Sequence, residues 1–417
     1  MNKPIVIIGA GLAGLCCALE LQEAGREFLV FEASDRVGGR VKTDVVEGFK
    51  LDRGFQVLLD SYPEVNRRID LARLNLRKFE PGALVRYSGS FHSITDPFRR
   101  PLAAIPTVFT PIGTLFDKLR VGLIRADVLK DASEKLFERK ETTTLERLEA
   151  AGFTDSLIER FFRPFLGGIF LERELKTSSR MFDFVFWMFS MGSACLPAEG
   201  MEVIPRALAE KLPASNIRLN TKVASVGDGL VTLEGGEVIE VAAAVVAADA
   251  PSAAKLLGKP EAPKGVGVTC IYFSVPLAPL TDAVLILNGD GSGPINNLCF
   301  PTRIASSYGP EGTDLASITV IGTGHDGSAL MDRVVSQLTD WFGEEVKGWK
   351  HLATYKIEYA LPSQVPPALT PPQREVRVRP GLYVCGDHIY NASIQGAMVS
   401  GKRAAHAVIA DLQRTKD

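Results

Sequence analysis

Cysteine and histidine are scarce in this sequence, with six cysteines and five histidines among 417 residues. Cys16 and Cys17 are adjacent, the other four cysteines are scattered, and no C-x-x-C spacing occurs. This distribution excludes a disulfide scaffold and a zinc cluster, and it predicts a reducing compartment such as the cytoplasm. His325 and Asp326 are adjacent, but no further ligand follows at metal-binding spacing, so no metal site is predicted.

Long apolar runs and an excess of one charge are absent as well. No uncharged stretch reaches the roughly 18 residues of a membrane span, so no transmembrane helix is predicted. Residues 4–19 carry no charge, but the glycines at positions 9, 11 and 14 are atypical of a signal peptide. The formal net charge of −2 provides no basic surface for nucleic acid. The expected partner is therefore a small molecule, and the oligomeric state is not predicted.

The first 32 residues have the pattern of a strand, a tight turn, a helix and a second strand. Residues 4–8 are an apolar run typical of a strand that is buried on both faces of a parallel sheet. Residues 9–14 have the spacing GxGxxG, and Glu32 follows Gly9 by 23 positions. In such a unit the glycines permit the turn and the approach of a diphosphate, and the acid binds a ribose. The predicted dinucleotide-binding residues are Gly9, Ala10, Gly11, Leu12, Ala13, Gly14, Glu32 and Ala33.

A second motif indicates which dinucleotide is bound. Glu32 is followed by R-V-G-G-R at positions 36–40. This segment resembles the R-x-G-G-R extension of the superfamily of FAD-dependent amine oxidases, protoporphyrinogen oxidases and carotenoid or phytoene desaturases. The resemblance implies FAD as the cofactor and a Rossmann-like α/β fold. It also implies that Gly38, Gly39 and Arg40 lie along the FAD diphosphate, where guanidinium N–H groups suit phosphate oxygens.

The resemblance extends over most of the chain. Residues 49–64 are similar to the segment beside the flavin ring, residues 220–223 to the strand that meets the adenine, and residues 382–402 to the C-terminal FAD motif. In that last motif Asp387 is implied at the ribityl or phosphate part. The following helix begins at the flavin pyrimidine, where a helix N-terminus favours negative charge. The further FAD-binding residues implied are Gly54, Phe55, Gln56, Val223, Gly386, Asp387, Ile394, Gln395 and Ala397.

Two departures from the superfamily pattern bear on the chemistry. Many of its amine oxidases have a lysine near flavin N5, where this sequence has Thr269, and this difference disfavours amine oxidation. Members that bind FAD covalently use a cysteine shortly before the C-terminal Gly-Ala pair, and residues 390–393 contain none, so FAD is predicted to be non-covalent. No catalytic residue is assigned. The candidates for the pocket wall are Phe55, Gln56, Tyr359 and His388, although His388 equally fits a solvent-facing loop.

The predicted architecture is an α/β FAD-binding domain with a parallel sheet and an inserted α+β substrate domain. A length of 417 residues, at about 150 per domain, is consistent with two or three structural units. Short strand patterns place residues 1–80, 200–260 and 375–417 in the FAD-binding domain. Residues 81–199 and 261–374 are assigned to the substrate domain. Five prolines between residues 360 and 374 predict an extended linker back to the first domain.

The predicted function is that of an FAD-dependent oxidoreductase that accepts a hydride from its substrate. The aromatic residues between positions 160 and 189 favour a largely apolar substrate and a desaturase-like or dehydrogenase-like reaction. The same helices are also compatible with a hydrophobic core or with peripheral contact to a membrane. Two alternatives stay open. One is a flavin-containing amine oxidase that releases hydrogen peroxide, and the other is a non-enzymatic lipid or prenyl carrier of the same fold.

Overall fold

The computed structural model describes residues 3–414, which form two large sheets, three small sheets and their surrounding helices. Within these residues the strands, numbered β1 to β21 in chain order, are Ile5–Ile8, Phe28–Phe31, Thr43–Val46, Phe49–Asp52, Leu58–Leu59, Leu76–Lys78, Gly82–Tyr87, Ser90–Thr95, Ala194–Pro197, Ile217–Arg218, Val223–Val226, Leu230–Leu233, Val238–Glu240, Ala243–Val246, Gly265–Val275, Leu285–Asn288, Ile295–Cys299, Asp314–Ile321, Lys350–Pro362, Arg377–Arg379 and Leu382–Val384. The α-helices, numbered α1 to α13, are Leu12–Glu23, Pro63–Arg68, Ile105–Val108, Leu115–Val128, Thr144–Ala150, Asp155–Leu157, Arg163–Phe170, Ser179–Met191, Val203–Ala209, Ala250–Leu256, Pro301–Ile304, Gly327–Phe342 and Ile394–Arg414. None of the helices in this part of the chain is long and apolar enough to cross a bilayer.

The first large sheet has six strands in the order β10-β2-β1-β14-β21-β20. Its strands run parallel, except that β20 is antiparallel to β21. Ile5 lies opposite Phe28 on one side and opposite Ala243 on the other. Both β1 and β14 are buried throughout, which explains why each is an uninterrupted apolar run. The predicted strand–helix–strand unit is therefore β1, α1 and β2 in the middle of this sheet.

Helices α1 and α13 pack against each other at very short distance. A side-chain carbon on Gly401 of α13 would lie 2.0 Å from the carbonyl oxygen of Ala13 in α1. A side-chain carbon on Gly14 would lie equally close to the carbonyl oxygen of Gly9. Glycine is needed at both positions because any larger residue would push the backbones apart. This packing holds α13 beside the turn that follows β1.

The second large sheet has seven strands in the order β19-β15-β18-β17-β16-β7-β8. Neighbouring strands are antiparallel, except that β16 and β7 are parallel. Helix α12 contributes Leu330, Val334 and Leu338, spaced one helical turn apart, to a core with buried side chains of this sheet. The long strands β15 and β19 extend from this sheet toward the parallel sheet, where the β19 residue Ala360 contacts Arg40.

The aromatic side chains of α7, α8 and the π-helical turn before α7 pack mainly with one another. Phe162 and Phe182 are buried, with ring centroids 6.2 Å apart. Phe161 stacks on Phe165 at 5.4 Å, and both pack against the hydrophobic core that also contains the parallel sheet. Core packing therefore accounts for most of this aromatic segment.

The division into two domains stays a prediction. The strands of the parallel sheet come from the three segments assigned to the FAD-binding domain, and those of the seven-stranded sheet come from the two segments assigned to the substrate domain. Strand β9, from a substrate segment, pairs with β5 and β6 from the first segment, so the predicted domains share a small sheet. The outermost predicted positions, 1–2 and 415–417, lie outside the described residues.

Candidate functional site

A tight turn of three residues joins β1 to α1. Gly9 has a φ of +111°, and a side-chain carbon there would lie 2.8 Å from the carbonyl oxygen of Ala247. Gly11 pairs with Gly38 in an isolated parallel bridge. The nearest atom to a side-chain carbon on Gly11 would be the Cα of Gly39, 4.0 Å away. Gly11, the N-cap of α1, makes no side-chain capping bond to the first turn, and a helix N-terminus of this kind suits a diphosphate.

Glu32 lies at the end of β2 and contacts two other parts of the predicted site. Its Oε2 accepts a hydrogen bond from the N–H of Ala10 at 2.8 Å, and its Oε1 accepts from the N–H and the hydroxyl of Ser34 at 2.9 and 2.7 Å. The N–H of Thr221 donates to the carbonyl oxygen of Glu32, which brings Val223, the first residue of β11, close to the same strand end. A carboxylate oxygen can accept more than one hydrogen bond, so Glu32 retains acceptor capacity for ribose hydroxyls.

The other residues of the N-terminal motif contribute backbone rather than side chains. Leu12, Ala13 and Gly14 form the first turn of α1, and all three are buried. Ala33 follows Glu32 on an exposed turn. The structure therefore brings the predicted N-terminal residues together around one strand end.

Arg40 and Asp387 form an ion pair that joins the two halves of the predicted site. The Nη2 of Arg40 lies 2.7 Å from the Oδ1 of Asp387, and its Nη1 donates to the carbonyl oxygen of Ala360, also at 2.7 Å. Asp387 is only 4% exposed. Burial alone would raise the pKa of this carboxyl, but the ion pair with Arg40 and the neighbouring His388 together outweigh burial and hold the pKa at about 2. The bond to Ala360 uses one of the five guanidinium N–H donors, which leaves others for an anionic ligand.

Buried polar atoms without partners surround this ion pair. The hydroxyl oxygen of Tyr359 and the Nδ1 of His388 are buried and have no hydrogen-bond partner within residues 3–414. The Nδ1 of His388 lies 3.9 Å from the Oδ1 of Asp387. Burial and the charge of Asp387 raise the pKa of Tyr359 to about 12, so its hydroxyl keeps its proton at neutral pH. Such atoms require a polar partner, and a polar cofactor in the neighbouring space would supply one.

The loop between β4 and β5 borders Arg40 on another side. The amide nitrogen of Gln56 donates to the carbonyl oxygens of Arg40 and Arg53, at 3.0 and 3.1 Å. Gly54 has a φ of +89° and faces the side chain of Ile357 in β19. The neighbouring Phe55 packs edge-to-face on Phe79, with ring centroids 6.3 Å apart. Gln56 therefore positions Arg40, and Phe55 packs toward other aromatic side chains.

The start of α13 is held in place by hydrogen bonds to its first turn. Gln395 directs its Oε1 toward α2, where it accepts the N–H of Glu64 at 2.9 Å. The N–H of Gly396 donates to the hydroxyl of Ser393 at 2.9 Å, and the N–H of Ala397 donates to the carbonyl oxygen of the same serine. Because the side chain of Gln395 is engaged with α2, residues 394–397 offer mainly backbone groups to a ligand.

Comparison with known proteins identifies the family. The family model of flavin-containing amine oxidoreductases matches residues 12–409, nearly the whole chain.

The chain belongs to this family.

This member of the flavin-containing amine oxidoreductase family is similar to relatives named as oxidases and as dehydrogenases. Protoporphyrinogen oxidase 2 of Arabidopsis thaliana is 25% identical over 167 residues, covering 40% of this chain and 32% of that protein. Phytoene dehydrogenase of Streptomyces griseus is 27% identical over 289 residues, covering 61% and 56%. The matched segments thus span less than two thirds of either relative.

Solved structures match the fold over the full length. Putrescine oxidase bound to putrescine has a TM-score of 0.72 at 15% identity, covering 98% of this chain and 99% of its own. A putative protoporphyrinogen oxidase from Exiguobacterium sp. also has a TM-score of 0.72, at 18% identity, covering 99% of both chains. The family model confirms the predicted superfamily, and these structures confirm the predicted fold class.

Thr269, the residue expected at the position of the amine oxidase lysine, makes a structural contact in this family member. Thr269 is fully buried in β15, and its hydroxyl donates to the carbonyl oxygen of Gly322 at 2.8 Å. Cys385, the cysteine nearest to the C-terminal motif, is also buried, and burial raises the pKa of its thiol to about 12. A thiol with so high a pKa is a poor nucleophile.

Two cavities share residues 362–365 in their linings. Cavity A, of about 130 Å³, is bordered by the apolar side chains of Phe170, Met181, Val266 and Leu361, and by Ala392 just before α13. Cavity B, of about 330 Å³, has a more polar lining that includes Lys264, Arg374, His388 and Tyr390. Of the predicted wall residues, His388 therefore lines cavity B, whereas Gln56 and Tyr359 lie near Arg40.

Sequence reasoning missed two residues at these cavities. Gln364 was part of the predicted linker, yet it is buried, and its Oε1 accepts the N–H of Ala392 at 3.0 Å. Its carbonyl oxygen accepts the N–H of Ser178 at the start of α8, so Gln364 connects α8 to the segment before α13. Glu172 lines cavity A, and its Oε2 is buried without a hydrogen-bond partner in the described part of the chain. Neither residue belongs to a recognisable motif, and a glutamine among prolines was the only available signal.

Proposed function

We propose that this chain is an FAD-dependent oxidoreductase that holds FAD without a covalent bond and accepts a hydride from a largely apolar substrate. The observation that carries the proposal is the buried ion pair of Arg40 and Asp387. It connects the N-terminal glycine turn to the C-terminal motif, at a place where buried atoms of Tyr359 and His388 need polar partners. Membership of a flavin-containing family supports a flavin, and the glycine turn with Glu32 supports its dinucleotide form.

Each part of FAD has a proposed partner in the chain. The carboxylate of Glu32 binds the adenosine ribose, and the α1 N-terminus with Arg40 binds the diphosphate. The proposed partners of the remaining parts are the backbone of Val223 for the adenine, Asp387 for the ribityl or phosphate portion, and the first turn of α13 for the flavin pyrimidine.

The bound flavin supplies the two-electron acceptor of the reaction. The chain binds and orients the reactants and excludes water from them. The α13 N-terminus would favour negative charge at the pyrimidine position, because the positive end of the helix dipole lies there. The contact of Gln395 with Glu64 and the two hydrogen bonds to Ser393 keep that turn in a fixed orientation.

Cavity A supports an apolar substrate. Phe170, Met181, Val266 and Leu361 form much of its wall, and these side chains offer no hydrogen bond to a polar ligand. Ala392 places this cavity two residues before α13, next to the proposed position of the flavin pyrimidine. An apolar substrate in cavity A would therefore lie close to the proposed flavin site.

Anaerobic mixing of the purified yellow protein with candidate substrates tests this proposal. One panel contains small amines, and the other contains isoprenoid and polycyclic lipids. We expect an apolar compound to bleach the flavin absorbance. Bleaching by amines alone would contradict the apolar assignment while leaving the flavin assignment intact. A purified protein without a flavin spectrum, even after addition of FAD, would contradict the whole proposal and point to the carrier alternative.

Glu172 favours a second candidate function, the amine oxidase. Its buried Oε2 lacks a partner at cavity A, and an ammonium group would provide one. Glu172→Gln removes the charge at the cavity, and Glu174→Gln serves as the matched control because Glu174 is an exposed residue of the same lining. For amine oxidation we expect Glu172→Gln to raise KM for amines about tenfold or more, with the control unchanged. For an apolar substrate, KM is expected to stay unchanged in both variants.

A further inference from the structure

An exposed apolar surface lies on the helical part of the chain, away from the residues assigned to FAD. Among the side chains that the structure describes, half of the exposed large apolar ones lie between residues 98 and 123. Leu102 is 81% exposed, Phe109 83% and Phe116 69%. Single exposed apolar residues are common on proteins, but such a concentration within one short segment indicates an interaction surface. We call these exposed apolar side chains surface 98–123.

Helix α4 has a separate buried side that faces the core, so its exposed apolar side chains are not the ones that attach it to the protein. Its inner side carries Asp117, Ile124 and Val128, which are buried, and the helix packs against α8. Its outer side carries Leu115, Leu119 and Leu123, spaced four residues apart and each more than half exposed. The helix is thus apolar on both sides, although one apolar side is enough to attach it to the protein.

The segment before α4 joins the same surface. Phe98 lies against Gly122 of α4, and the guanidinium of Arg125 sits 4.7 Å from the centre of its ring. Arg99 donates to the carbonyl oxygens of Phe189 and Gly192 at the end of α8. These contacts hold Phe98 beside α4 and Arg99 beside the end of α8, and the other exposed apolar side chains of the segment follow within the next ten residues.

The charge around surface 98–123 indicates its partner. Residues 97–130 contain six basic and two acidic residues, a net charge of +4, whereas the whole chain carries −2. Glu80 pairs with Arg100, and Asp96 pairs with Arg99 and Arg125. When these two acidic residues are included, the net charge is still +2. A second copy of the chain in a two-fold contact would place this basic surface against itself. An apolar face with a basic surround instead matches the interface of an anionic bilayer.

We propose that surface 98–123 docks the protein on membranes that contain anionic lipids, with Phe109, Phe116 and the outer leucines of α4 inserted among the acyl chains. This inference needs no assumption about the reaction. One consequence does rest on the proposed function. Helix α8 carries Met181 at cavity A, and Met191 at its other end is 58% exposed, about 15 Å farther along the helix. Because Arg99 contacts the end of α8, this helix would connect the docking surface to cavity A, which suits a substrate dissolved in lipid.

Vesicle co-sedimentation of the flavin-loaded, substrate-free protein tests the docking. The probe is vesicles of phosphatidylcholine with about 30% phosphatidylglycerol, compared with pure phosphatidylcholine vesicles, at low and high salt. We expect binding to the anionic vesicles that weakens in high salt and on neutral vesicles. The double variant Phe109→Asp/Phe116→Asp should lower binding by at least about tenfold. Leu277→Asp is the control, since Leu277 is 71% exposed but lies outside surface 98–123, and it should bind as the unmodified protein does.

Both variants are checked for flavin content and thermal unfolding, so that a folding defect is distinguished from lost docking. If the double variant misfolds, the single variants Phe109→Ser and Phe116→Ser replace it. Absence of vesicle binding by the unmodified protein would overturn the proposal, and so would equal binding by the folded variants. A concentration-dependent dimer that the variants disrupt, without vesicle binding, would assign the surface to a second copy. Because no substrate is present, failure of the proposed reaction leaves these outcomes unchanged.

Discussion

Replacing Arg40 with methionine tests the ion pair in the candidate site. The substitution keeps most of the side-chain volume but leaves the carboxylate of Asp387, 4% exposed, without its cation. Breaking a buried ion pair from one side typically costs about 3–5 kcal/mol. Arg40 is itself 33% exposed, so we expect the free energy of unfolding of the flavin-free protein to fall by about 3 kcal/mol, the lower end of this range.

The same variant tests the proposed role of Arg40 toward the cofactor. A charge-assisted hydrogen bond to a diphosphate is worth about 1.5–3 kcal/mol. We therefore expect Arg40→Met to weaken FAD binding by about 10- to 150-fold, as measured by titrating the flavin-free protein with FAD. The double variant Arg40→Met/Asp387→Asn should recover much of the lost stability, because no unpaired charge remains. It should not recover FAD affinity.

The pH dependence provides an independent check. The ion pair with Arg40 and the neighbouring His388 together hold the pKa of Asp387 at about 2, below its ordinary value of 3.8, so in the unmodified protein the pair stabilises the fold above about pH 4. This stabilisation is lost as the pH falls toward 2. In Arg40→Met, burial without the cation raises the pKa, so the difference in stability from the unmodified protein should be largest near pH 7 and shrink in acid. Equal urea midpoints at pH 7, or a difference that does not vary with pH, would refute this reasoning.

Three further predictions follow from other contacts. Burial raises the pKa of Asp52 to about 6, although Thr43, Met201 and Tyr308 donate hydrogen bonds to its carboxylate. The folded protein therefore holds a proton on Asp52 that the unfolded chain has lost, and the stability that this proton provides disappears as the pH rises from about 4 through 6. Urea unfolding should therefore show Asp52→Asn to be about 3 kcal/mol more stable than the unmodified protein at pH 8 and nearly equal at pH 4. Gly401→Ala should lower the free energy of unfolding by about 1–3 kcal/mol through its clash with α1, whereas Gly235→Ala, in open space, should leave it unchanged; equal denaturation midpoints would contradict this. Heat or acid denaturation should release the flavin into solution, and a yellow precipitated polypeptide would instead reveal a covalent link.

Structural features that are formed by residues close together in the chain could be predicted from the sequence. The turn at residues 9–14, its helix and Glu32 form one strand–helix–strand unit, in which each structural requirement falls on residues close in the chain. Glycine at position 9 is needed for a positive φ, and glycine at position 14 is needed for close packing, so both leave a direct mark on the sequence. The C-terminal motif was found in the same way, because Gly386 and α13 have a recognisable spacing.

The sequence by itself thus determined the family, the central strand–helix–strand unit and the segments that supply the cofactor motifs. Only the tertiary structure decided that Arg40 pairs with Asp387, that Gln395 faces α2, and that Glu172 borders an apolar cavity. It also decided which apolar residues are core, since the aromatic residues of α7 and α8 are largely packed whereas surface 98–123 is exposed. The physical reason is that burial, ion pairing and cavities arise from contacts between segments distant in the chain. An apolar helix face has the same sequence pattern whether it is buried in the protein core or exposed on the surface.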